Sequence, residues 1–460
     1  MRLNYNLDDT IVALATPPGI GAIGVIRLSG TDAIKRCNAI FKGKDLEKEN
    51  SHTLHFGKVM NADHTILDEV LVSLFKAPHS YTGENVVEIS CHGSPYILQK
   101  VIENLIQRGA RNAEPGEFTL RAFLNKKLDL SQAEAVADLI ASDSNASHNL
   151  AMQQMRGGFA KVIGALRVEL INFAALIELE LDFGEEDLEF ANRTHLISLI
   201  EKLQQMIIPL IESFQLGNVI KNGVSTVIAG RPNAGKSTLL NVLLQEDRAI
   251  VSEIAGTTRD TIEEALVIEG IVFRLIDTAG IREATNAIEH LGIEKTFQKI
   301  KQSSIIIYVF DSTELNEGEV QKDIEQLHAG EIPVVLVANK MDLLSKESSN
   351  KFPNIPVHYI TAKESRNIGG LKTILHQIVL NNKSAGANNT IISNLRHYDA
   401  LTKANIALDA VRTGIHTNLS GELIAQDLKE ALNALGTITG EIDIDRDVLG
   451  ALFSKFCIGK

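Results

Sequence analysis

Cysteine is scarce: Cys37, Cys91 and Cys457 are scattered over 460 residues with no paired spacing. That excludes a disulfide scaffold and a structural zinc site, and predicts a reducing, cytoplasmic setting. No apolar run approaches the roughly 20 residues needed to cross a bilayer, so no membrane association is expected. The start, with Asp8-Asp9 ahead of the first apolar strand, lacks the basic-then-apolar layout of a secretory leader. Positive charge is also short. A formal net charge of −13 argues against a generic nucleic-acid coat. One basic stretch (Arg108, Arg111, Arg121, Lys126, Lys127) leaves two readings open, a local RNA patch or a solvated face. No repeat or low-complexity tract is visible. What is there, 44% hydrophobic and 22% charged residues, is ordinary soluble composition. The length suggests about two to four domains.

The most informative stretch is Gly230-Arg231-Pro232-Asn233-Ala234-Gly235-Lys236-Ser237, followed by Thr238. It fits the phosphate-binding loop pattern and sits where such a loop belongs. An apolar, β-branched run (224–229) leads in, and a leucine-rich helical run (238–244) leads out. Glycines let backbone N–H groups turn inward around phosphates, Lys236 reaches the β/γ oxygens, and the Ser237 hydroxyl suits Mg²⁺. The following helix aims its positive dipole end at the anion.

Further motifs follow in the order the chemistry requires. Thr257 and Thr258, in Gly256-Thr257-Thr258-Arg259-Asp260, suit a mobile loop closing over Mg²⁺ and the γ-phosphate. Asp277 holds the metal through its shell, and Gly280 offers an N–H to the γ-phosphate. Asn339 and Asp342 select guanine, the carboxylate accepting from the N1–H and exocyclic amine. Lys340 lays its stem along the base, and Thr361-Ala362-Lys363 completes the set. The chain is expected to bind GTP.

Around these motifs the first roughly 120 residues read as mixed α/β. Strands are expected at 10–15, 22–29, 69–75 and 86–91, and helices at 32–41 and 94–108. From about 119 to 218 the pattern becomes almost pure helix, with Ser131-Gln132-Ala133-Glu134 spaced as a capping box. Leu166, Leu170, Phe173, Ile177 and Leu181 share one helical face. The acidic run 182–187 reads as a loop. Strands and helices then alternate to about 382, as a doubly wound, mostly parallel sheet requires. Residues 384–389 read as a linker, and amphipathic helix returns from 394 to about 435. Four segments are therefore expected: 1–120, a helical part at 121–220, an inserted nucleotide domain at 221–383, and a second helical part at 384–460. The two helical parts are expected to share one core, with the nucleotide domain inserted between them.

One position breaks the usual pattern. Most small GTPases place a glutamine after Asp-x-x-Gly to orient the attacking water, but here it is Ile281. Arg282 is either a built-in arginine finger or an exposed switch residue. Asn233 is either a turn residue or an oxygen donor to a monovalent cation. Glu289 is either a surface residue or a carboxylate that positions water. Cys91-His92 reads as a strand end, because its neighbours offer no third partner by spacing.

The nucleotide motifs, with Asp277-Thr278-Ala279-Gly280-Ile281-Arg282-Glu283 and the terminal Phe456-Cys457-Ile458-Gly459-Lys460, resemble the bacterial tRNA-modification GTPase family MnmE (TrmE). So do Ala15-Thr16-Pro17-Pro18-Gly19, Tyr81-Thr82-Gly83-Glu84-Asn85, and Pro115 to Thr119 with Arg121 to Asn125. The likeness covers the whole chain. It implies a multidomain α/β plus α architecture: a folate-binding-like α+β N-terminal domain that drives homodimer formation, a helical bundle, and an inserted potassium-dependent GTPase. Carried over, Asn233, Ser252, Ile254 (through its backbone oxygen) and Thr257 would hold K⁺. Ser237 and Thr258 would serve Mg²⁺, and Glu289 would orient water. Arg27, Glu84, Lys127 and Lys460 match the family's folate-contacting positions, and Cys457 is a candidate catalytic thiol in the tail. The resemblance further implies modification at C5 of a tRNA wobble uridine, with a tetrahydrofolate derivative as one-carbon donor. The partner would be a flavin-dependent, MnmG-like protein that carries the FAD and joins this chain in a heterocomplex. Without the folate positions and the tail, a ribosome-assembly switch would fit the central motifs equally.

Overall fold

The structure is a computed structural model that describes residues 8–182, 192–247, 264–276, 303–327, 330, 332–344, 351–381, 390–440 and 459. In chain order it begins β1 (Ile11–Leu14), β2 (Ile23–Ser29), α1 (Ala33–Asn38), β3 (Phe41–Lys42), β4 (Thr53–Met60), β5 (Ile66–Phe75), β6 (Val86–His92), α2 (Pro95–Gln107) and β7 (Arg111–Asn112). Helices α3 (Glu117–Leu124), α4 (Leu130–Ala141), α5 (Asn145–Met155), α6 (Gly158–Asp182) and α7 (Arg193–Asn222) follow. Next come β8 (Val224–Ala229), α8 (Lys236–Asp247), β9 (Glu264–Ile268), β10 (Ile271–Ile276), β11 (Ile305–Asp311), α9 (Glu317–Gln326), β12 (Val334–Asn339), β13 (Val357–Tyr359), α10 (Ile368–Asn381), α11 (Leu395–His416) and α12 (Gly421–Thr439). The chain divides into two units: Met1–Ala137 with Gln154–Ile171 and Leu432–Lys460, and Asp138–Gln153 with Asn172–Ala431.

The first unit is built on a seven-stranded sheet ordered β3-β4-β5-β6-β2-β1-β7. All its pairings are antiparallel except β1 with β7. Leu98, Val101 and Leu105 recur at helical spacing on α2 and bury their side chains in one core with Val12, Ile26, Val72 and Ile89. Each such burial contributes about 1.5–3 kcal/mol. On the opposite face Ile11 and Ala13 pack under Phe118 and Tyr81, while Leu54, Phe56 and Leu71 of β4 and β5 stay exposed.

The second unit carries a six-stranded sheet ordered β13-β12-β11-β8-β10-β9. It is parallel except for the edge strand β9. The β9–β10 hairpin closes through Glu269 and Gly270, both at positive φ, as a two-residue turn of the twist-matched kind requires. Strand β11 is buried at every position, because α8 and α10 cover one face and α9 the other. Helices α7 and α11, which leave and rejoin this sheet in the sequence, lie side by side. Gln204 Nε2 donates to Asn405 at 3.1 Å and Asp409 at 3.0 Å, and Phe214 stacks on Tyr398.

Three expectations need correction. The cap of α4 is set two residues earlier than Ser131: Asp129 accepts from the Gln132 N–H at 2.8 Å and Gln132 Oε1 accepts from the Asp129 N–H at 3.0 Å, the reciprocal pair of a capping box. Ser131 itself donates to Asp129. The helix expected over 394–435 is two helices. Asn418 adopts a left-handed φ of 52°, and the Leu419 N–H reaches back to the Gly414 carbonyl at 2.9 Å, ending α11 in a Schellman cap. The basic stretch is not one continuous surface: Arg108, Lys126 and Lys127 are exposed, whereas Arg111 and Arg121 serve internal carboxylates. Arg121 is fully buried among Asp9, Glu84 and Glu117, and Arg111 pairs with Asp9 and Glu117. The acidic run and the linker lie outside the described residues, apart from Asp182 at the end of α6.

Candidate functional sites

Strand β8 ends, the chain turns through 230–235, and α8 begins at Lys236. The turn lies between β11 and β10, where the strand order switches direction and open α/β sheets bind ligands. Gly230 has φ 146°, and a Cβ there would sit 1.9 Å from the Val309 carbonyl oxygen, so the turn tolerates no side chain. Asn233 takes a left-handed φ of 62°. Lys236 Nζ donates to the Gly230 carbonyl at 2.8 Å and the Arg231 carbonyl at 2.7 Å. Burial lowers its pKa, a cost that anionic phosphate oxygens would offset. Ser237 and Thr238 are exposed on the first turn of α8. Arg231 is anchored away from the turn, bidentate to Asp323 at 2.7 and 2.9 Å, with the Tyr308 hydroxyl on the same carboxylate.

Asn339 ties three loops together. From the end of β12 its Nδ2 donates to the Ala234 carbonyl at 2.9 Å, and its Oδ1 accepts the Ala362 N–H at 3.0 Å. It is 4% exposed. The loop after β12 is therefore stapled to the phosphate loop through one amide, and Asp342 on that loop is exposed. Lys340, at φ 63°, is held by Asp311, whose hydrogen bond raises its pKa. Burial of Asp311 is outweighed by Lys340 and Thr313, which hold its carboxyl below the usual range. Thr361 and Ala362 are buried, and the Thr361 hydroxyl has no hydrogen-bond partner among the described residues. Lys363 is exposed beside them. Ser252, Ile254, Thr257, Thr258, Asp277, Gly280, Ile281, Arg282 and Glu289 lie outside the described residues.

A second polar group gathers on the first sheet. Arg27 projects from β2 between the rings of Tyr81 and Phe118, 5.8 Å from each centroid, and binds Glu88 at 2.8 Å. Its Nη1 donates to the Gly459 carbonyl at 3.2 Å. Gly459, at φ 98°, lies so close to β1 that a Cβ would fall 2.2 Å from the Leu14 oxygen. The tail thus reaches Arg27, although Cys457 and Lys460 themselves lie outside the described residues. Glu84 receives Ser29 Oγ at 2.7 Å and Arg121 Nη1 at 3.2 and 3.3 Å. Lys127 lies over the same 78–84 loop, donating to the Pro78 carbonyl at 3.0 Å. Cationic, aromatic and acceptor groups around a tail glycine form a donor set that fits an aromatic, amide-bearing anion such as a folate.

Sequence reasoning missed Asp311, Asp323, Ser29 and the burial of Arg121. Tyr81, Thr82 and Arg121 carried a signal only through the Tyr81–Asn85 and Arg121–Asn125 motifs. His92 does have an acidic partner: Asp68 accepts from its backbone N–H at 2.9 Å and meets its Nδ1 at 2.7 Å across β5 and β6. Cys91 nevertheless faces the opposite side of the sheet, and burial with the Asp68 charge pushes its thiol up to about 11, so Cys91 and His92 form no dyad.

The loop, its helix and the stapled base loop on a doubly wound sheet define a GTP-binding protein of the phosphate-loop class. Residues 10–127 match the family described as GTP-binding protein TrmE N-terminus, and residues 130–457 match the MnmE helical domain. The chain is 54% identical to the tRNA modification GTPase MnmE of Cytophaga hutchinsonii over 99% of this chain and 98% of that one. Against the protein of the same name in Bacteroides thetaiotaomicron it is 50% identical over 98% and 100% of the two. The chain belongs to the MnmE (TrmE) family of tRNA modification GTPases.

Proposed function

We propose that this chain hydrolyses GTP with Mg²⁺ and K⁺ and couples that cycle to modification at C5 of the wobble uridine of certain tRNAs. It acts with a flavin-dependent, MnmG-like partner and takes its carbon from a tetrahydrofolate derivative. The observation that carries this reading is the presence, in one MnmE-family chain, of a stapled phosphate loop and of the separate Arg27–Glu84 group beside the tail.

At the first site Lys236 and the N-terminus of α8 bind phosphate, Asn339 holds the loops in register, and Asp342 reads guanine. Ser237 and Thr258 offer hydroxyl oxygens, the hard ligands that Mg²⁺ prefers. Asn233 and residues 252–257 hold K⁺, which supplies the positive charge that an arginine finger supplies elsewhere, worth roughly 10³–10⁵ in rate. Glu289 then positions water in place of the missing glutamine. At the second site Arg27 and Lys460 bind the anionic folate, Lys127 stands beside it, and Glu84 accepts from its N–H donors. Cys457 is the nucleophile of the tail.

The exposed residues Leu54, Phe56 and Leu71, with Phe56 and Leu71 paired across β4 and β5, offer a surface suited to a homodimer. Arg111 and Arg121 are spent on internal carboxylates, which leaves Arg108, Lys126 and Lys127 as the exposed cations of that stretch. The test is mass spectrometry of wobble nucleosides in tRNA from cells lacking this protein. Loss of the C5 substituent is expected. Unchanged nucleosides would overturn the reading and return attention to a ribosome-assembly switch.

A further inference from the structure

We propose that Ser29, Thr82 and Arg121 are positioning residues that fix Glu84 with Oε1 as its less engaged acceptor, so that Glu84 reads an N–H donor of the pterin end of a folate. The proposal rests on the reading of the Arg27–Glu84 group as the one-carbon donor's site.

The hydrogen bonds around Glu84 close into a ring. The Glu84 backbone N–H donates to Thr82 Oγ1 at 3.2 Å. Ser29 Oγ lies 2.7 Å from both Thr82 Oγ1 and Glu84 Oε2. Carboxylate oxygens only accept, so the one Ser29 proton goes to Glu84 and the Thr82 proton must go to Ser29. Each hydroxyl then donates once and accepts once, and the ring runs in one direction. Ser29 and Thr82 are both fully buried, so neither proton has water to turn to, and such chains strengthen their members.

Arg121 fixes what remains. Its Nη1 also holds the Asp9 carbonyl at 2.9 Å, while Nη2 is held by Asp9 and by Glu117 at 3.0 Å. Arg121 therefore cannot swing away from Glu84. A carboxylate has about four lone-pair sites. Ser29 takes one on Oε2. The Asp9 carbonyl uses one of the two Nη1 protons of Arg121, and the other is shared between the Glu84 oxygens at 3.2 and 3.3 Å, so Oε1 is the less engaged oxygen. The Glu84 side chain is 15% exposed. Among the parts of a folate, the N–H donors concentrate on the pterin, while the glutamate end is anionic and repelled by Glu84. The ring thus acts on pterin recognition and leaves the glutamate end to the cationic side chains.

The experiment is calorimetric titration of the full chain with tetrahydrofolate kept reduced, and separately with p-aminobenzoylglutamate, which lacks the pterin. Thr82→Val keeps the shape and removes the hydroxyl, whereas Thr82→Ser keeps the hydroxyl and removes a methyl. We expect Thr82→Val to weaken tetrahydrofolate binding by about tenfold or more. Thr82→Ser should stay near wild type, and p-aminobenzoylglutamate should bind all three alike. Ser29→Ala repeats the test should Thr82→Val fail to give a cooperative melt, and the same loss is expected. Near-normal binding by Thr82→Val or Ser29→Ala, or equal loss in Thr82→Ser and Thr82→Val, overturns the positioning role. Failure of the wild type to bind tetrahydrofolate overturns the reading of the site itself.

Discussion

Replacing Asn339 by alanine separates loop assembly from base recognition. The substitution removes a donor to the Ala234 carbonyl and an acceptor for the Ala362 N–H. Both residues are buried, at 2% and 1% exposure, so two backbone groups lose their partners where water is largely excluded. Each such orphan costs about 1–3 kcal/mol. Where binding must restore the loop geometry that the amide otherwise holds, even the lower limit for two, about 2 kcal/mol, corresponds to about 30-fold in affinity. Stopped-flow binding of a fluorescent GDP should show that loss chiefly as faster dissociation. Because the amide joins the loops through backbone groups, the same factor should appear for xanthosine diphosphate when Asn339→Ala is added to an Asp342→Asn background. Affinity within about threefold of wild type would refute the staple. So would a loss confined to guanine nucleotides.

Asp342→Asn alone should move preference from guanine towards xanthine, because an amide donates to the extra carbonyl of xanthine. Competition between GTP and XTP checks this, and an unchanged GTP margin would contradict it. Exchanging K⁺ for Na⁺ should cut GTP turnover sharply with little change in nucleotide affinity; equal turnover in both salts would return attention to Arg282. Burial pushes Cys37 up to about 12, and burial with the Asp68 charge puts Cys91 at about 11, against an unfolded value of about 8.5. Both are therefore neutral at pH 8, and native Cys457→Ser should show no fast-reacting thiol towards a chromogenic disulfide, but two after denaturation. What these neutral thiols add to stability is present below the unfolded value and fades as pH rises through about 11–12. Rapid labelling of the native variant would show that the sheet and α1 open more readily than their packing implies.

The phosphate loop was legible because its glycines, lysine and flanking periodicities all serve one geometry. Strand β4 was not, because its polarity is inverted. His55, Gly57 and Val59 face inward while Leu54 and Phe56 face out, so no apolar-inward alternation marks it. The break between α11 and α12 was announced by Thr417-Asn418-Leu419-Ser420-Gly421, whose Asn and Gly are turn formers, but the surrounding helical periodicity masked it. Arg121 reads as a cation among cations along the chain. Its partners Asp9 and Glu84 lie 112 and 37 residues away, a distance no local pattern spans. Asn339 was placed at the guanine site by its motif, yet its hydrogen bonds to the phosphate loop depend on the parallel order of β8, β11 and β12.

The central claim, that nucleotide turnover at the phosphate loop drives tRNA modification, is tested most directly by complementation. A strain lacking the protein is given either the wild-type chain or Lys236→Ala, which removes the ammonium now bonded to the Gly230 and Arg231 carbonyls. Modified wobble uridine is then quantified by mass spectrometry at matched protein levels. Restoration by the wild type and none by Lys236→Ala is the expected result. Full restoration by Lys236→Ala would contradict the account.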